Sequence, residues 1–137
     1  MEGIGYKFKK YIPRNKTFEF PAITIMETCM RMNRLCKKFI WKKPYCEIFY
    51  DENEKVIAIK PTHIETFCTL RIIERGEDHN TTIQCKAFIR ENGIFRYLNL
   101  AYLGKKSIQL PAQWDDKNKC FFVNLKYFKE KLYAKQS

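Results

Sequence analysis

The sequence predicts an α+β fold built mainly from antiparallel strands and hairpins, with two short helices. Short apolar runs alternate with polar turns along most of the chain, which is the pattern of β-hairpins. Two brief segments have helical spacing, and neither is long enough to dominate the fold. With 137 residues and 45% hydrophobic content, the chain is long enough for one domain and too apolar to be disordered.

The first half is expected to open with a basic arm at residues 1–17. The stretch "FEFPAITIM" alternates between apolar and polar residues, which predicts a strand over 18–26. Further on, "YCEIFYDENEKVIAIKP" predicts a hairpin, with strands at 45–50 and 56–60 joined by a polar turn at 51–55.

The segment between this strand and this hairpin, "CMRMNRLCKKFIW", is predicted to be a polar stretch followed by a short amphipathic helix. Asn33 is a candidate N-cap, and Pro44 ends the helix. Cys36 is expected to pack in or beside the core and to bind nothing. The residues whose helical spacing directs them to the core are Leu35, Phe39 and Ile40.

The second half repeats this alternation of strands and a helix. "FCTLRIIERGEDHNTTIQC" predicts two strands around a turn at 76–80, and "CKAFIRENG" predicts a helix at 85–93. "FRYLNLAYLGKKSIQLP" predicts a hairpin that turns at Gly104, and "WDDKNKCFFVNL" predicts a turn leading into a strand. The tail, residues 126–137, is expected to be irregular or a short helix.

Two short motifs recur in the same order in the two halves. "CKKFI" at 36–40 returns as "CKAFI" at 85–89, and "YDENEKVIAI" at 50–59 returns as "WDDKNKCFFV" at 114–123. An internal duplication and chance similarity both explain the echo. The boundaries that a duplication implies are 18–125 for the single domain, with half-repeats at 18–61 and 66–125.

The formal net charge of +11 arises from 26 lysines and arginines against 15 aspartates and glutamates. Residues 28–46 hold six cations and no acid, and a second acid-free cluster lies within 7–16. Such a field attracts polyanions, of which nucleic acid is the commonest, although general solubility charge would produce the same composition. The candidate nucleic-acid contacts are Arg31, Arg34, Lys37, Lys38, Lys42, Lys43, Lys7, Lys9, Lys10 and Arg14.

Metal, cofactor and catalytic sites are not indicated by the sequence. Zinc ligands usually come in close cysteine pairs, whereas the six cysteines here are widely spaced. "WDDK" at 114–117 formally matches the carboxylates of metal-dependent nucleases, but it stands where a solvated turn is expected. We therefore expect no catalytic residue, no metal and no cofactor, and cysteines that are reduced and mostly in the core.

The sequence also gives no sign of a membrane partner. No apolar run approaches the roughly 20 residues that cross a bilayer. The N-terminus has no apolar segment followed by a small-residue cleavage site. We expect a cytoplasmic protein.

Residues 22–61 resemble the swapped-hairpin DNA-binding domains of AbrB/MraZ-type transcription regulators. The resemblance lies in a strand and turn, a basic segment, a short helix and the hairpin that ends in "IAIKP". It implies DNA contacts by Arg31 and Arg34 and a homodimer formed by interleaved strands; the echo would fit two such units in one chain. At 28–29 and 32–33 the sequence departs from the Gly-Arg turn and the Ile-Pro of that family. The hairpin also resembles small uncharacterised prokaryotic and phage proteins.

Our first hypothesis is a non-enzymatic nucleic-acid-binding protein, with DNA favoured over RNA and transcription regulation as its role. One alternative is a single-stranded nucleic-acid binder, because Trp41 stands beside Lys42 and Lys43, and exposed aromatic rings stack on unpaired bases. The other alternative is an accessory module of a phage or archaeal virus that binds a protein partner, for example by pairing a strand edge.

Overall fold

The computed structural model describes Gly5, Lys7 and residues 20–75 and 80–127. Within these residues the architecture is mainly β, because nine antiparallel strands form one nearly closed, barrel-like sheet and the helices are few and short. Most of the predicted basic arm, the tip of the turn at 76–80 and nearly all of the predicted tail helix lie outside the described residues.

The strands and helices are defined as follows. The strands are β1 (Ala22–Met26), β2 (Cys29–Met32), β3 (Tyr45–Asp51), β4 (Val56–Thr62), β5 (Leu70–Arg75), β6 (Asn80–Gln84), β7 (Ser107–Pro111), β8 (Gln113–Asp115) and β9 (Cys120–Asn124). A 3₁₀ helix spans Arg34–Phe39, and two α-helices are α1 (Lys86–Glu91) and α2 (Ile94–Leu98).

The strand order is β7-β1-β2-β6-β5-β3-β4-β9-β8. The strands at the two ends of this order, β7 and β8, are separated in the chain by Ala112 alone. One bent segment therefore pairs with β1 at one end of the sheet and with β9 at the other, which curls the sheet back on itself. The N–H of Ala112 donates to the carbonyl of Pro21 at 2.9 Å and ties this bend to the start of β1.

Hairpins from the two halves of the chain alternate around the sheet. The β1–β2 and β3–β4 hairpins of the first half are separated by β5–β6 of the second half, and β8–β9 follows β4. Neither half places its own two hairpins side by side, so the halves share one interior and cannot form separate sheets. Strands from the two halves pair at β2–β6 and at β4–β9, and we call these two pairings the seams.

The pairing at both seams is symmetric. If the echo is used to equate 50–59 with 114–123, Ala58 lies opposite its own counterpart, Phe122. The flanking pairs are Ile57 with Val123 and Ile59 with Phe121, so each residue faces the counterpart of the other. At the second seam, where helix starts are equated, the pairs are Cys29 with Gln84, Met30 with Ile83, Arg31 with Thr82 and Met32 with Thr81. Both ladders are antiparallel, which is compatible with a twofold relation between the two halves.

Alternate strand residues fill the interior of the sheet, as the two-residue period of a strand dictates. β1 buries Ile23 and Ile25, and β4 buries Ile57 and Ile59. An aromatic cluster adds to this core where the 3₁₀ helix crosses β8 and β9. Its three rings belong to Phe39, Trp114 and Phe121.

The predicted hairpins at 45–60 and 70–84 are confirmed, as are the turn and strand at 114–124 and the helix at 85–93, which is α1. The predicted strand at 18–26 is shorter, because β1 begins at Ala22, and residues 18–19 lie outside the described part of the chain.

Two predicted elements are wrong. Cys29–Met32 is the strand β2, in which Met30 and Met32 are buried and Arg31 is exposed. This alternation was missed because only four residues carry it and they lie in a segment rich in cations. The first strand of the hairpin predicted to turn at Gly104 is absent. Ile94–Leu98 is instead the helix α2, which buries Ile94 and Leu98 at helical spacing.

Candidate functional site

Within the cation-rich segment 28–46, residues Arg34–Phe39 form a 3₁₀ helix, and the period of this helix determines which side chains face solvent. In a 3₁₀ helix residues i and i+3 lie over one another. Cys36 and Phe39 therefore share the inner side, and Cys36 is fully buried. Arg34 and Lys37 share an outer side. The prediction that Leu35 is buried is corrected, because Leu35 is only partly buried when the period is three residues.

The inner side of this helix is fixed by specific contacts. The Phe39 ring stacks on Trp114, with ring centroids 4.8 Å apart, and meets Phe121 edge-on at 5.5 Å. The Cys36 thiol donates to the carbonyl of Ala22 in β1 at 3.7 Å. Before the helix, the Asn33 side chain bridges to β1, accepting from the Ala22 N–H at 3.1 Å, and makes no cap hydrogen bond to the helix. The helix is thereby attached to both ends of the sheet.

Six cations of this segment form what we call the basic surface. Arg31 projects outward from β2, and the others follow on the 3₁₀ helix and the turn after it. Lys37 and Lys43 are partly buried and the remaining four are exposed. The members are Arg31, Arg34, Lys37, Lys38, Lys42 and Lys43.

The charge of the basic surface is mostly not neutralised. Lys37 lies 3.7 Å from a carboxylate oxygen of Glu74 on β5, a weak and solvent-exposed ion pair. Lys38 lies over the Phe39 ring at 4.9 Å from its centroid, a cation–π contact that leaves its charge in place. In the part of the chain that the structure describes, no carboxylate forms an ion pair with the other five cations of the surface.

Of the four nucleic-acid contacts predicted in the N-terminal arm, the structure describes one. Lys7 is exposed. Lys9, Lys10 and Arg14 lie outside the described residues, so their relation to the basic surface stays a prediction.

A tight turn at 40–43 presents an aromatic ring beside these cations. The Lys43 N–H donates to the Ile40 carbonyl at 3.0 Å and closes the turn. Lys42 has a φ of 58°, a left-handed conformation that costs a residue with a side chain about 1 kcal/mol. Trp41, at the apex, is 67% exposed. An indole held outward between lysines is available to stack on another planar group.

The same turn forms one wall of a groove of about 370 Å³, which we call the lysine groove. Its other wall is β5, from the second half of the chain. Ile40 forms part of its apolar lining, and two lysines and one glutamate line it as well. The lining residues are Ile40, Lys42, Lys43, Pro44, Ile72 and Glu74.

A second groove of about 500 Å³, which we call the arginine groove, lies against α1 and α2. It holds Arg90 and Arg96, both exposed, and no described carboxylate forms an ion pair with either. Glu27, from the turn between β1 and β2, lies on the opposite wall. Its remaining lining residues are Ile89, Gly93, Phe95, Asn99 and Ala101. The sequence prediction missed this groove, although the second "CKAFI" copy, which Arg90 follows directly, marks its position.

The cysteines have the properties of core residues. Five are buried and only Cys68 is exposed, and all six are free thiols. Burial raises the pKa of Cys36, Cys46 and Cys85 to about 12, so these thiols stay protonated and are poor nucleophiles. Among the residues that the structure describes, no three histidine, cysteine or carboxylate side chains are grouped as metal ligands would be.

The carboxylates of "WDDK" serve the turn between β8 and β9, as predicted. Asp115 accepts the backbone N–H of Lys117 at 3.1 Å, and Asp116 pairs with Lys119 at 2.7 Å. In the first half, Asp51 accepts the N–H of Glu54 at 3.0 Å in the equivalent turn. These side chains stabilise hairpin tips and do not converge on a pocket.

An exposed apolar turn lies between β4 and β5. Phe67 is 100% exposed, and Ile64 and Cys68 are also exposed. The turn is nevertheless held in shape, because the Thr66 N–H donates to the Thr69 hydroxyl at 3.0 Å, which donates in turn to the Thr66 carbonyl at 2.9 Å. This Phe67 turn is the most apolar exposed segment that we find in the described chain.

Comparison with models of protein families, with curated proteins and with solved structures finds no match to this chain. No helix within residues 20–75 and 80–127 has both the length and the apolar character needed to cross a membrane.

Proposed function

We propose that this chain is a non-enzymatic nucleic-acid-binding protein that contacts the phosphate backbone, most readily of DNA, through the basic surface. The observation that carries the proposal is the set of five cations without a carboxylate partner on one continuous stretch, from β2 through the 3₁₀ helix to the turn at 40–43. Like charges at this density repel one another modestly, and a bound polyanion relieves that repulsion.

The groups on this surface suit backbone contact better than base reading. Arg31 and Arg34 can each pair with a phosphate through two N–H donors, whereas lysines act as point charges. No exposed helix of the described chain is long enough to fill a major groove. Recognition would therefore depend mainly on the shape and charge of the backbone, with Trp41 as the residue suited to stack on an unpaired base.

We further propose that the chain arose by internal duplication of a swapped-hairpin unit of the AbrB type, and that it acts as a transcription regulator. The alternation of hairpins from the two halves supports this proposal. In such an arrangement one chain supplies both sets of interleaved strands, and a homodimer would bring two complete sheets together.

The proposal is tested by fluorescence anisotropy with labelled duplex DNA, single-stranded DNA and RNA of equal length. The variant replaces Arg31, Arg34 and Lys38 with alanine, all exposed. The matched control replaces Lys60, Lys106 and Lys117, three exposed lysines that line neither groove. Each lost phosphate contact should reduce the magnitude of the negative slope of log K against log salt by about 0.9 for duplex DNA.

We expect the basic-surface variant to lose about 3 from the slope and the control to lose almost nothing. Binding that is equally weak in both variants would reject this surface as the contact site. Tighter binding of single strands than of duplex, abolished by Trp41→Ala, would favour the single-stranded alternative over a duplex-binding regulator.

A second candidate function, a protein–protein interaction module, rests on the Phe67 turn. A fully exposed phenylalanine on a turn that is held by its own hydrogen bonds is a typical anchor for a partner pocket. If the proposed function is right, Phe67→Ser leaves nucleic-acid affinity and its salt slope unchanged. A protein that binds no nucleic acid at moderate salt would make the interaction module the leading candidate.

A further inference from the structure

We infer that the arginine groove is a second phosphate-binding groove, related to the lysine groove by the pseudo-twofold axis of the sheet. This inference rests on the proposed function and extends it, because the predicted nucleic-acid contacts include neither Arg90 nor Arg96. The ligand is the phosphodiester backbone of a duplex long enough to reach both grooves.

The two grooves occupy equivalent places in the fold. Each is formed by the connection that leaves the short helix of one half and by the β-hairpin of the other half. The lysine groove lies between the turn at 40–43 and β5, and the arginine groove lies between the α1–α2 connection and the turn that follows β1. β1–β2 and β5–β6 are the hairpins that exchange under the symmetric β2–β6 pairing.

The chemistry of the two grooves is also equivalent. Each contains two cations and one carboxylate, so each carries one net positive charge. Each also contains the last isoleucine of its motif copy, Ile40 or Ile89, both buried. The groove lysines of one half are replaced by Arg90 and Arg96 in the other, and guanidinium groups bind phosphate oxygens through two donors at once.

One difference separates the halves and explains the larger volume of the arginine groove. The first half passes from its helix to β3 through five residues, 40–44, whereas the second half inserts α2 between α1 and β7. Gly93 and Asn99, with φ of 60° and 57°, bend the chain at the two ends of α2 and place Arg96 beside Arg90 in the groove. The two motif copies also lie at different positions relative to their helices. Cys36 of "CKKFI" lies inside the 3₁₀ helix, whereas Cys85 of "CKAFI" precedes α1.

Two grooves related by a twofold axis match the symmetry of duplex DNA, whose strands are related by twofold axes perpendicular to the helix. Symmetric proteins bind half-sites separated by about 10 base pairs or a multiple of it. A duplex of about 20 base pairs is long enough to span two such half-sites, and if it reaches both grooves the contacts should add in the salt dependence.

The test compares Arg90→Ala/Arg96→Ala with Lys42→Ala/Lys43→Ala and with the four-fold variant on a labelled duplex of about 20 base pairs. The control is Lys60→Ala/Lys106→Ala. It removes two positive charges, as each double alanine variant does, and both lie outside the two grooves. Arg90→Lys/Arg96→Lys keeps the charge and removes the two-donor geometry. Folding is checked by thermal unfolding, and alanine at Arg90 suits a helix.

Each double alanine variant should reduce the magnitude of the salt slope by about 2 and the four-fold variant by about 4, while the lysine variant keeps the slope and binds more weakly. If the Arg90/Arg96 variant behaves like the control while the Lys42/Lys43 variant loses slope, the inference is wrong and the proposed function stands. If the unmodified protein binds no duplex, single strand or RNA, the proposed function fails and the inference fails with it.

Discussion

Replacing Phe39 with alanine tests whether the aromatic cluster holds the 3₁₀ helix, and with it the basic surface, on the sheet. A helix of six residues has little stability of its own, so its position depends on tertiary contacts. Phe39 supplies two of them, a stack on Trp114 at 4.8 Å and an edge contact with Phe121 at 5.5 Å.

The expected loss follows from these contacts. Each aromatic pair contributes about 0.5–1.5 kcal/mol, and the partly buried ring adds about 1 kcal/mol from the apolar area that it removes from water. Phe39→Ala should therefore lower the free energy of unfolding by about 2–4 kcal/mol, on average below the 3–5 kcal/mol typical of a fully buried phenylalanine.

The assay is urea unfolding followed by circular dichroism, in which a loss of stability moves the midpoint and leaves the m-value unchanged. Phe67→Ala is the control, because this ring is 100% exposed and its removal should change stability by less than about 0.5 kcal/mol. Equal midpoints for the two variants would refute the reasoning that the cluster holds the helix in place.

Four further predictions follow from the thiols, the turns and Trp41. Ellman's reagent should label Cys68 rapidly in the folded protein and the other five thiols only on unfolding, and rapid labelling of several thiols would contradict the burial. Because burial raises the pKa of Cys36 to about 12 from 9.0, the folded state favours the protonated thiol; stability should fall as pH rises above about 9, and less steeply in Cys36→Ala. Asp51→Ala should cost about 0.5–1.5 kcal/mol in urea unfolding, because it removes one turn hydrogen bond. Asp115→Ala should cost more, because it removes two, from the Lys117 N–H and the Asn118 side chain, and a smaller loss for Asp115→Ala would contradict this. Acrylamide should quench Trp41 far more than the second tryptophan, which a Trp41→Phe variant isolates, and duplex or single-stranded DNA should protect Trp41 if it lies at the contact.

Hairpins were predictable from the sequence because their determinants are local. The turn at 51–55 lies between two β-rich runs, and Asp51 is a residue that favours turns. The same reasoning located the turn and strand at 114–124. In both places the apolar period of two residues and the turn chemistry point to the same structure.

The period of the basic segment was harder to assign, because so few residues define it. Over six residues a 3₁₀ helix and an α-helix have nearly the same pattern, and tertiary contacts decide between them. The attachment of Cys36 to β1 and of Phe39 to β8 and β9 selects the tighter helix and leaves Leu35 at the edge. These contacts join residues distant in the chain, which a local pattern does not contain.

The arginine groove could not be predicted, because it depends on the order of strands around the sheet. Arg90 and Arg96 lie on separate helices, and Glu27 comes from the other half of the chain. Only the alternation of hairpins brings these three residues to one groove. The echo of "CKKFI" and "CKAFI" indicated that the halves are related, but it did not indicate which strands would pair.

The most direct test of the central claim is the salt dependence of duplex DNA binding by the unmodified protein. If the basic surface neutralises four to six phosphates, it should contribute about −4 to −5 to the slope of log K against log salt, and engagement of the arginine groove would add about −2. A protein that binds duplex with a slope near zero, or that does not bind it at low salt, would contradict the claim that the basic surface forms a nucleic-acid contact.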